Sequence, residues 1–243
     1  MAAFLGGSYA RGEADEFSDL DLYLITSDES FDDFNANRKQ FMTLLGEPLF
    51  LENFGNPNYV FYIFENGAEG ELGIGRKSAF ETIHSGPFQV LVDKHSILSG
   101  ATFHEAQPEP AQQTEKLRRL LYYFWHEWQH FTTALGRGQL WWAQGQLESL
   151  RGFCVSLARL SSDFFDHEAG VEPYFKVEKA VPVNHLSALK DTYGPLEKDH
   201  LRKTGLAIAQ VFKELALPLA QAHGIPYPEA LEQLMLKRLD RIL

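Results

Sequence analysis

Two short segments near the N-terminus carry residue types that suit phosphate and metal chemistry. The first is Gly6–Ser8, with the sequence Gly-Gly-Ser, and the second begins at Asp19 after ten intervening residues. In a strand, alternate side chains share a face, so Asp19 and Asp21 stand side by side while Leu20 points the other way. Two adjacent carboxylates repel each other unless a cation lies between them. Hard oxygen ligands of this kind suit Mg²⁺, which also accepts phosphate oxygens.

The glycine-rich segment has the chemistry of an anion site. Gly7 lets backbone N–H groups approach a ligand closely, and Ser8 supplies a hydroxyl donor at a predicted helix start. Each segment alone is more often structural, because Gly-Gly-Ser usually forms a turn and Asp-Leu-Asp fits a half-exposed strand. Their order and spacing, with a β-like run on each side, favour a triphosphate site.

The combined segment resembles the signature of the nucleotidyltransferase superfamily that includes DNA polymerase beta. That signature has an apolar residue, Gly-Gly or Gly-Ser, nine to thirteen residues, and then Asp-x-Asp between apolar residues. The residues Gly7–Gly12 followed by Phe17–Asp21 are most similar to the small bacterial members. Those are the lincosamide and aminoglycoside nucleotidyltransferases and the minimal nucleotidyltransferases. The likeness is specific over about 25 residues and extends more loosely, through the order of elements, over residues 1–100.

The resemblance implies an enzyme that moves a nucleoside monophosphate from a nucleoside triphosphate to a hydroxyl of a small molecule. The implied acceptor is an aminoglycoside- or lincosamide-like antibiotic, and the implied cofactor is Mg²⁺. Asp19 and Asp21 would hold the metal, while Gly7, Ser8 and Arg11 would position the triphosphate. A third carboxylate on a later strand would complete the metal site and take the hydroxyl proton.

Glu71 is the predicted third carboxylate. The runs Tyr59–Phe64 and Glu69–Ile74 flank an Asn-Gly turn and therefore predict a hairpin. In the returning strand Glu69 and Glu71 share one face. Glu71, directly before an apolar residue, matches the family position best, and Glu69 is the alternative. The family more often has Asp at this position.

The elements that must position these residues change in character near residue 105. Short β-like runs cover Ala3–Leu5, Leu20–Thr26, Pro48–Asn53, Tyr59–Phe64, Glu69–Ile74 and Phe88–Val92, and one helix is predicted over Phe31–Leu45. The proline-containing segment 106–113 is a predicted linker. Helical patterns follow over Thr114–Leu135, Leu140–Phe165, Leu186–Tyr193, Glu197–His223 and Pro228–Leu243, with Pro218 expected to kink or end the fourth.

This pattern predicts an α+β protein of two domains. Residues 1–105 would form a small mixed-sheet nucleotidyltransferase domain, and residues 106–243 an all-α bundle of about five helices. The family usually begins with a helix before the first strand, which here is either absent or lies upstream of Met1. An uncovered flank of the sheet would favour a homodimer.

Charge divides unevenly between the two predicted domains. The 243 residues carry a net charge of -11. Residues 1–105 hold 17 acidic and 6 basic side chains, whereas residues 106–243 hold 16 of each. Nucleic-acid binding requires the opposite sign, because affinity for phosphate backbones comes from Lys and Arg. The acidic N-terminal part favours metal ions and a cationic acceptor, unless its charge serves only solubility.

The remaining composition points to a cytoplasmic protein. No apolar stretch is long enough to span a membrane, and the N-terminus lacks the pattern of a signal peptide. Cys154 is the single cysteine, so no internal disulfide can form.

Two patterns in the helical part favour other functions less strongly. His126–His130 matches H-E-x-x-H, which in zinc peptidases places two imidazoles on one helix face, and Glu148 is a possible third ligand. Arg119 and His126, with six residues between them, fit the loose Arg-x(4–6)-His spacing of HEPN ribonucleases. The favoured interpretation is an ordinary helix face or a substrate pocket. The walls of such a pocket would include aromatic residues such as Tyr123, Trp128 and Trp142. An antitoxin-like nucleotidyltransferase that modifies or binds a partner protein is the alternative from a different functional class.

Overall fold

The computed structural model describes residues 1–104 and 109–242. The chain divides into two compact units, Met1–Ala106 and Gln107–Leu243, and each is described by itself. The predicted boundary between residues 105 and 106 and the first residues of the predicted linker lie outside the described residues. The end of that linker is helical instead, because a helix begins at Pro110. Proline is suited to a first helical position, where its missing N–H has no intrahelical partner.

A mixed sheet of six strands forms the described part of the first unit. The strands are β1 Ala2–Leu5, β2 Leu20–Thr26, β3 Pro48–Glu52, β4 Tyr59–Phe64, β5 Glu69–Arg76 and β6 Gln89–Asp93. Their order across the sheet is β3-β4-β5-β2-β1-β6. The central pair, β2 and β5, is parallel, and the other neighbours are antiparallel. Strands β2 and β4 have the predicted bounds, whereas β5 continues beyond its predicted end to Arg76.

The helices of this unit are short. Its described residues form α1 Gly7–Arg11, α2 Asp28–Ala36 and α3 Arg38–Leu45, with a 3-10 turn at Phe80–Thr82. The single helix predicted over Phe31–Leu45 is wrong, because the chain leaves helical geometry at Asn37. There the side-chain amide of Asn37 donates to the carbonyl oxygen of Asp33 at 2.9 Å. Such a local bond competes with the helical hydrogen-bond ladder.

Apolar side chains cover both faces of the sheet. On one face, Leu72 and Met42 belong to a buried cluster that also includes side chains of α2 and α3. On the other, Phe4 and Tyr23 belong to a second cluster. Tyr23 lies two residues after Asp21 and therefore on the same face of β2. The carboxylate of Asp21 is thus placed at the margin of a buried apolar region.

The second unit is helical throughout its regular structure. Its helices are α4 Pro110–Gly136, α5 Leu140–Ser162, α6 Val177–Ala180, α7 Val183–Lys190, α8 Lys198–Ala222 and α9 Glu229–Asp240. The single-turn α6 lies between two predicted helices, in a segment where no helix was predicted. Helix α8 continues past Pro218, which does not end it. A mixed-sheet unit followed by a helical one confirms the predicted α+β class.

The aromatic residues of α4 mostly form the core of this unit. Phe124 stacks on Phe212 with ring centroids 3.6 Å apart. Trp125 and Trp128 are fully buried, and the indole N–H of Trp128 donates to the carbonyl oxygen of Met235 at 3.1 Å. Trp128 therefore cannot wall an open pocket, contrary to the prediction, whereas Tyr123 is exposed. None of the helices in the described ranges is long and apolar enough to cross a bilayer.

Candidate active site

The parallel pairing of β2 with β5 brings two of the predicted carboxylates together. In this register Asp21 is the partner of Glu71. Residues paired across neighbouring strands project to the same face, so the two carboxylates are lateral neighbours. Asp19 directly precedes β2, and its negative charge acts on both of them. Glu69, the alternative third carboxylate, is the first residue of β5, two positions before Glu71, and is exposed. The geometry favours Glu71, and its role stays a prediction.

The electrostatics of the site disfavour negative charge in the metal-free protein. Burial raises the pKa of Asp21, and repulsion from Asp19 raises it further. His84 and Arg11 act in the opposite direction on the Asp21 carboxyl. Burial is also the main cause that raises the pKa of Glu71, followed by the charge of Asp21. The cluster therefore holds more negative charge than its surroundings neutralise, which suits a cation.

Tyr23 is a site residue that the sequence reasoning missed. Its hydroxyl donates to Glu71 Oε1 at 3.3 Å, and its ring stacks on Phe4 with centroids 4.8 Å apart. Burial, with the nearby charge of Glu71, raises the pKa of the Tyr23 hydroxyl, which keeps its proton and remains a donor. The signal was present, since Tyr23 follows Asp21 by two residues in the same strand.

His84 was also missed, and nothing in the sequence could have found it. It follows the 3-10 turn, far along the chain from β2, and its ring centroid lies 4.8 Å from that of Tyr23. Its Nε2 is 2.8 Å from the carbonyl oxygen of Pro87, which fixes the ring. Only the folded chain places this imidazole near Asp21.

The glycine segment lies directly against the carboxylates. The N–H of Gly6 donates to the carbonyl oxygen of Asp21 at 2.9 Å. Gly7 has φ +55, and a Cβ at this position would overlap the Asp21 carboxylate. Gly70 on β5 has φ +157, and a Cβ there would overlap the backbone of Leu20. These two positions require glycine so that α1, β2 and β5 can approach one another.

Ser8 and Arg11 lie on α1, beside this contact. The Ser8 hydroxyl oxygen is buried and has no hydrogen-bond partner among the described residues. A buried polar group without a partner is uncommon, which marks this hydroxyl as free to bind a ligand. Arg11 is exposed and pairs with Glu13 at 3.1 Å. Its charge also reaches Asp21, whose pKa it lowers.

A cavity of about 250 Å³ opens beside the carboxylates on the β4 side of the sheet. Asp19, Glu69 and Glu71 contribute acidic groups to its wall, and Phe50 and Phe61 contribute aromatic rings. Phe61 is the partner of Glu71 across β4 and β5. The cavity therefore combines negative charge with flat apolar surface.

The helical unit holds the residues of the two alternative patterns, those of a zinc peptidase and of a HEPN ribonuclease. His126, Glu127 and His130 lie close together on α4. Glu148 is not part of that group, because its carboxylate accepts from the hydroxyl of Tyr174 and pairs with Arg151. Arg119, from the ribonuclease pattern, pairs with Glu115 at 2.9 Å.

Comparison with known proteins identifies the family. The sequence profile of the streptomycin adenylyltransferase family matches residues 1–242. The chain belongs to this family. It is therefore a nucleotidyltransferase, which confirms the predicted superfamily and enzyme class.

Solved structures and curated sequences were compared as well, and the solved structures include a named adenyltransferase. The chain is similar to an aminoglycoside 6-adenyltransferase from Bacillus subtilis, at 15% sequence identity and a TM-score of 0.45. The match covers 98% of this chain and 89% of that one. No curated protein sequence matches significantly.

An Asp21→Asn substitution should stabilise the metal-free protein at neutral pH. Folding raises the pKa of this carboxyl above its ordinary value of about 4. Ionising it therefore costs more free energy in the folded chain than in the unfolded chain. Removing the charge removes that penalty and the repulsion on Glu71. Urea unfolding with a chelator should show a higher free energy of unfolding than wild type near pH 7, and little or no gain near about pH 3, where the carboxyl is mostly protonated in both states.

Glu65→Gln, which neutralises an exposed carboxyl in the β4–β5 turn, serves as the control and should change little. A loss of stability of the Asp21→Asn protein at neutral pH would contradict this electrostatic description. So would a gain of equal size at both pH values.

Proposed function

We propose that the protein transfers a nucleoside monophosphate from a nucleoside triphosphate, ATP in the first instance, to a hydroxyl of an aminoglycoside-like compound. Pyrophosphate is the second product. The observation that carries the proposal is the convergence of Asp19, Asp21 and Glu71 next to a glycine turn, in a chain of the streptomycin adenylyltransferase family. Paired carboxylates beside an anion cradle are what transfer of a phosphoryl-type group requires.

Mg²⁺ fits the donors at this site. Asp19, Asp21 and Glu71 would hold it, since all three offer hard oxygen ligands. Burial first, and then repulsion between the neighbouring carboxylates, raises the pKa values of Asp21 and Glu71, and a bound cation would relieve both effects. When bound, Mg²⁺ neutralises phosphate charge and stabilises the oxygens that gain charge during in-line displacement.

The glycine segment would position the triphosphate. Gly7 brings backbone N–H groups to the edge of the carboxylate cluster, and the unpartnered Ser8 hydroxyl can donate to a phosphate oxygen. Arg11 adds a positive charge on the same helix. Together these groups would hold the triphosphate so that its α-phosphorus faces Glu71.

Glu71 would act as the general base. The acceptor oxygen forms a bond to the α-phosphorus, the bond from that phosphorus to the pyrophosphate oxygen breaks, and the hydroxyl proton moves to Glu71. Burial raises the pKa of the Glu71 carboxyl above its ordinary value in the metal-free protein, which is the direction that favours proton acceptance. The hydrogen bond from Tyr23 orients the carboxylate.

We infer the side from which the acceptor approaches from the order of the strands. In-line displacement places the attacking oxygen and the leaving pyrophosphate on opposite sides of the phosphorus. β1 and the Gly7 turn lie on one side of β2, whereas β5, β4 and β3 lie on the other. With the triphosphate on the β1 side, the acceptor enters from the side of Glu71 and the adjoining cavity.

The cavity suits an aminated sugar. Glu69 and Asp19 attract ammonium groups, and the rings of Phe50 and Phe61 can contact the apolar faces of sugar rings. A polyanion such as a nucleic-acid end would be repelled by the same carboxylates. This supports a small cationic acceptor.

Substitutions of the carboxylates should separate their roles. Asp19→Asn and Asp21→Asn should each abolish Mg²⁺-dependent pyrophosphate release from ATP and streptomycin, while circular dichroism shows a folded protein. Glu71→Gln should lower kcat by about a hundredfold to ten-thousandfold, the range typical of a lost general base. Glu69→Gln is the matched control and should keep kcat while raising KM for a cationic acceptor. Near-normal turnover in either aspartate variant would refute the catalytic proposal, and the reverse pattern for the two glutamates would move the base to Glu69.

The acceptor is tested by competition. Labelled ATP should label aminoglycosides in a panel that also offers lincosamides, tRNA and DNA ends. The KM for the aminoglycoside should rise with salt, because salt weakens the attraction between exposed opposite charges. The Debye screening length falls to about 10 Å at 0.1 M ionic strength and is shorter above it. Labelling of the polynucleotides alone, or a KM that falls as salt increases, would contradict a cationic acceptor.

A further inference from the structure

The α4 helix of the second unit carries another group of side chains with metal-binding chemistry. His126, Glu127 and His130 each offer one ligand atom, and these atoms lie within 4.8 Å of one another. His126 is exposed, and the other two are partly buried. The proposed transfer reaction uses none of them.

We propose that His126, Glu127 and His130 form a binding site for one borderline divalent cation such as Zn²⁺, Ni²⁺ or Cu²⁺. The site is chemically different from the all-oxygen site of Asp19 and Asp21. Imidazole nitrogens select metals of this class, whereas carboxylates alone suit Mg²⁺. The two sites would therefore take different metals from a mixture.

Helix geometry supplies the first support. Residues four apart lie one above the other on a helix surface, so His126 and His130 share a face. Their ring centroids are 5.4 Å apart and the rings are nearly perpendicular. Metal–nitrogen bonds of about 2.0–2.1 Å require ligand atoms roughly 3.4 Å apart in a tetrahedral site, which modest rotations of the exposed His126 side chain can provide.

The neighbouring helix supplies the second support, because it holds Glu127 in place. Glu127 Oε1 lies 3.0 Å from His126 Nδ1. With the Gln146 amide oriented so that its nitrogen faces α4, it donates to Glu127 Oε2 at 3.3 Å and accepts from the Trp142 indole N–H at 3.1 Å. Partners of this kind, one shell beyond the metal, fix ligand orientation in known metal sites.

The arrangement is that of a binding site and not of a peptidase. In H-E-x-x-H peptidases the glutamate activates water while a third ligand comes from another element. Here Glu127 belongs to the ligand group itself, and the described residues add no further His, Cys, Asp or Glu to it. The metal would bridge consecutive turns of α4 and so stabilise the helix.

The test is calorimetric titration of the purified full chain with Zn²⁺, and separately Ni²⁺, in excess Mg²⁺ to occupy oxygen sites. We expect one equivalent of Zn²⁺ to bind. His126→Ala and His130→Ala should each weaken binding at least tenfold, and the double variant should abolish it. Thermal unfolding should show a metal-dependent rise in Tm for the wild type that the double variant lacks.

His167→Ala is the matched control. His167 Nε2 also lies 3.0 Å from the carboxylate of its neighbour, Glu168, but the residue four positions on is Val171, so no second imidazole is available. This variant should bind Zn²⁺ as the wild type does, and so should an Asp19→Asn/Asp21→Asn protein. Electron paramagnetic resonance of bound Cu²⁺ should show coupling to two nitrogens, reduced to one in His130→Ala.

Three outcomes would overturn the proposal. They are less than a fifth of an equivalent of Zn²⁺ bound at millimolar metal, unchanged affinity in the double variant, and loss of Zn²⁺ binding in the Asp19→Asn/Asp21→Asn protein. Because these experiments measure metal binding and not turnover, a failure of the metal-site proposal leaves the transferase proposal untouched. The converse also holds.

Discussion

Two carboxylates held side by side on neighbouring strands, and partly withdrawn from water, repel each other unless something compensates their charge. The pairing of Asp21 with Glu71 creates this situation at the centre of the sheet. Within the protein the compensation is incomplete: Tyr23 donates one hydrogen bond to Glu71, and His84 and Arg11 favour the ionised form of Asp21. The pKa values of both carboxyls are therefore raised, and a cation is the remaining means of stabilising their ionised forms.

The rest of the first unit follows from holding that pair in place. Parallel pairing of β2 with β5 sets the lateral alignment, and Gly70 permits the close approach of the two strands. Gly7 leaves room for the Asp21 carboxylate against the turn before α1. The apolar clusters on both faces of the sheet contribute hydrophobic stabilisation, which offsets the repulsion between the carboxylates. A site that is electrostatically unfavourable without ligand is thus built on a well-packed scaffold, as is common for functional sites.

Strand periodicity and turn chemistry made much of this arrangement predictable. β2 and β4 were predicted from β-like runs separated by Gly, Pro and Asn, and the placement of Glu71 beside Asp21 follows from the strand pattern together with the family resemblance. What sequence could not supply depended on contacts between distant segments: His84 reaches the site only through folding. Helical periodicity also does not reveal the break at Asn37, where the backbone leaves helical geometry and the side-chain amide bonds to the Asp33 carbonyl. The continuation of α8 through Pro218 shows tertiary packing overriding a local signal.

The most direct test of the carboxylate site is a crystal structure with Mn²⁺ and a non-hydrolysable triphosphate analogue, in which anomalous scattering locates the metal. We expect Mn²⁺ bound by oxygens of Asp19 and Asp21 and of the triphosphate, with phosphate oxygens against the Gly7 backbone and the Ser8 hydroxyl. An ordered triphosphate bound elsewhere, or Mn²⁺ that contacts neither aspartate, would contradict the assignment of this cluster as the catalytic centre.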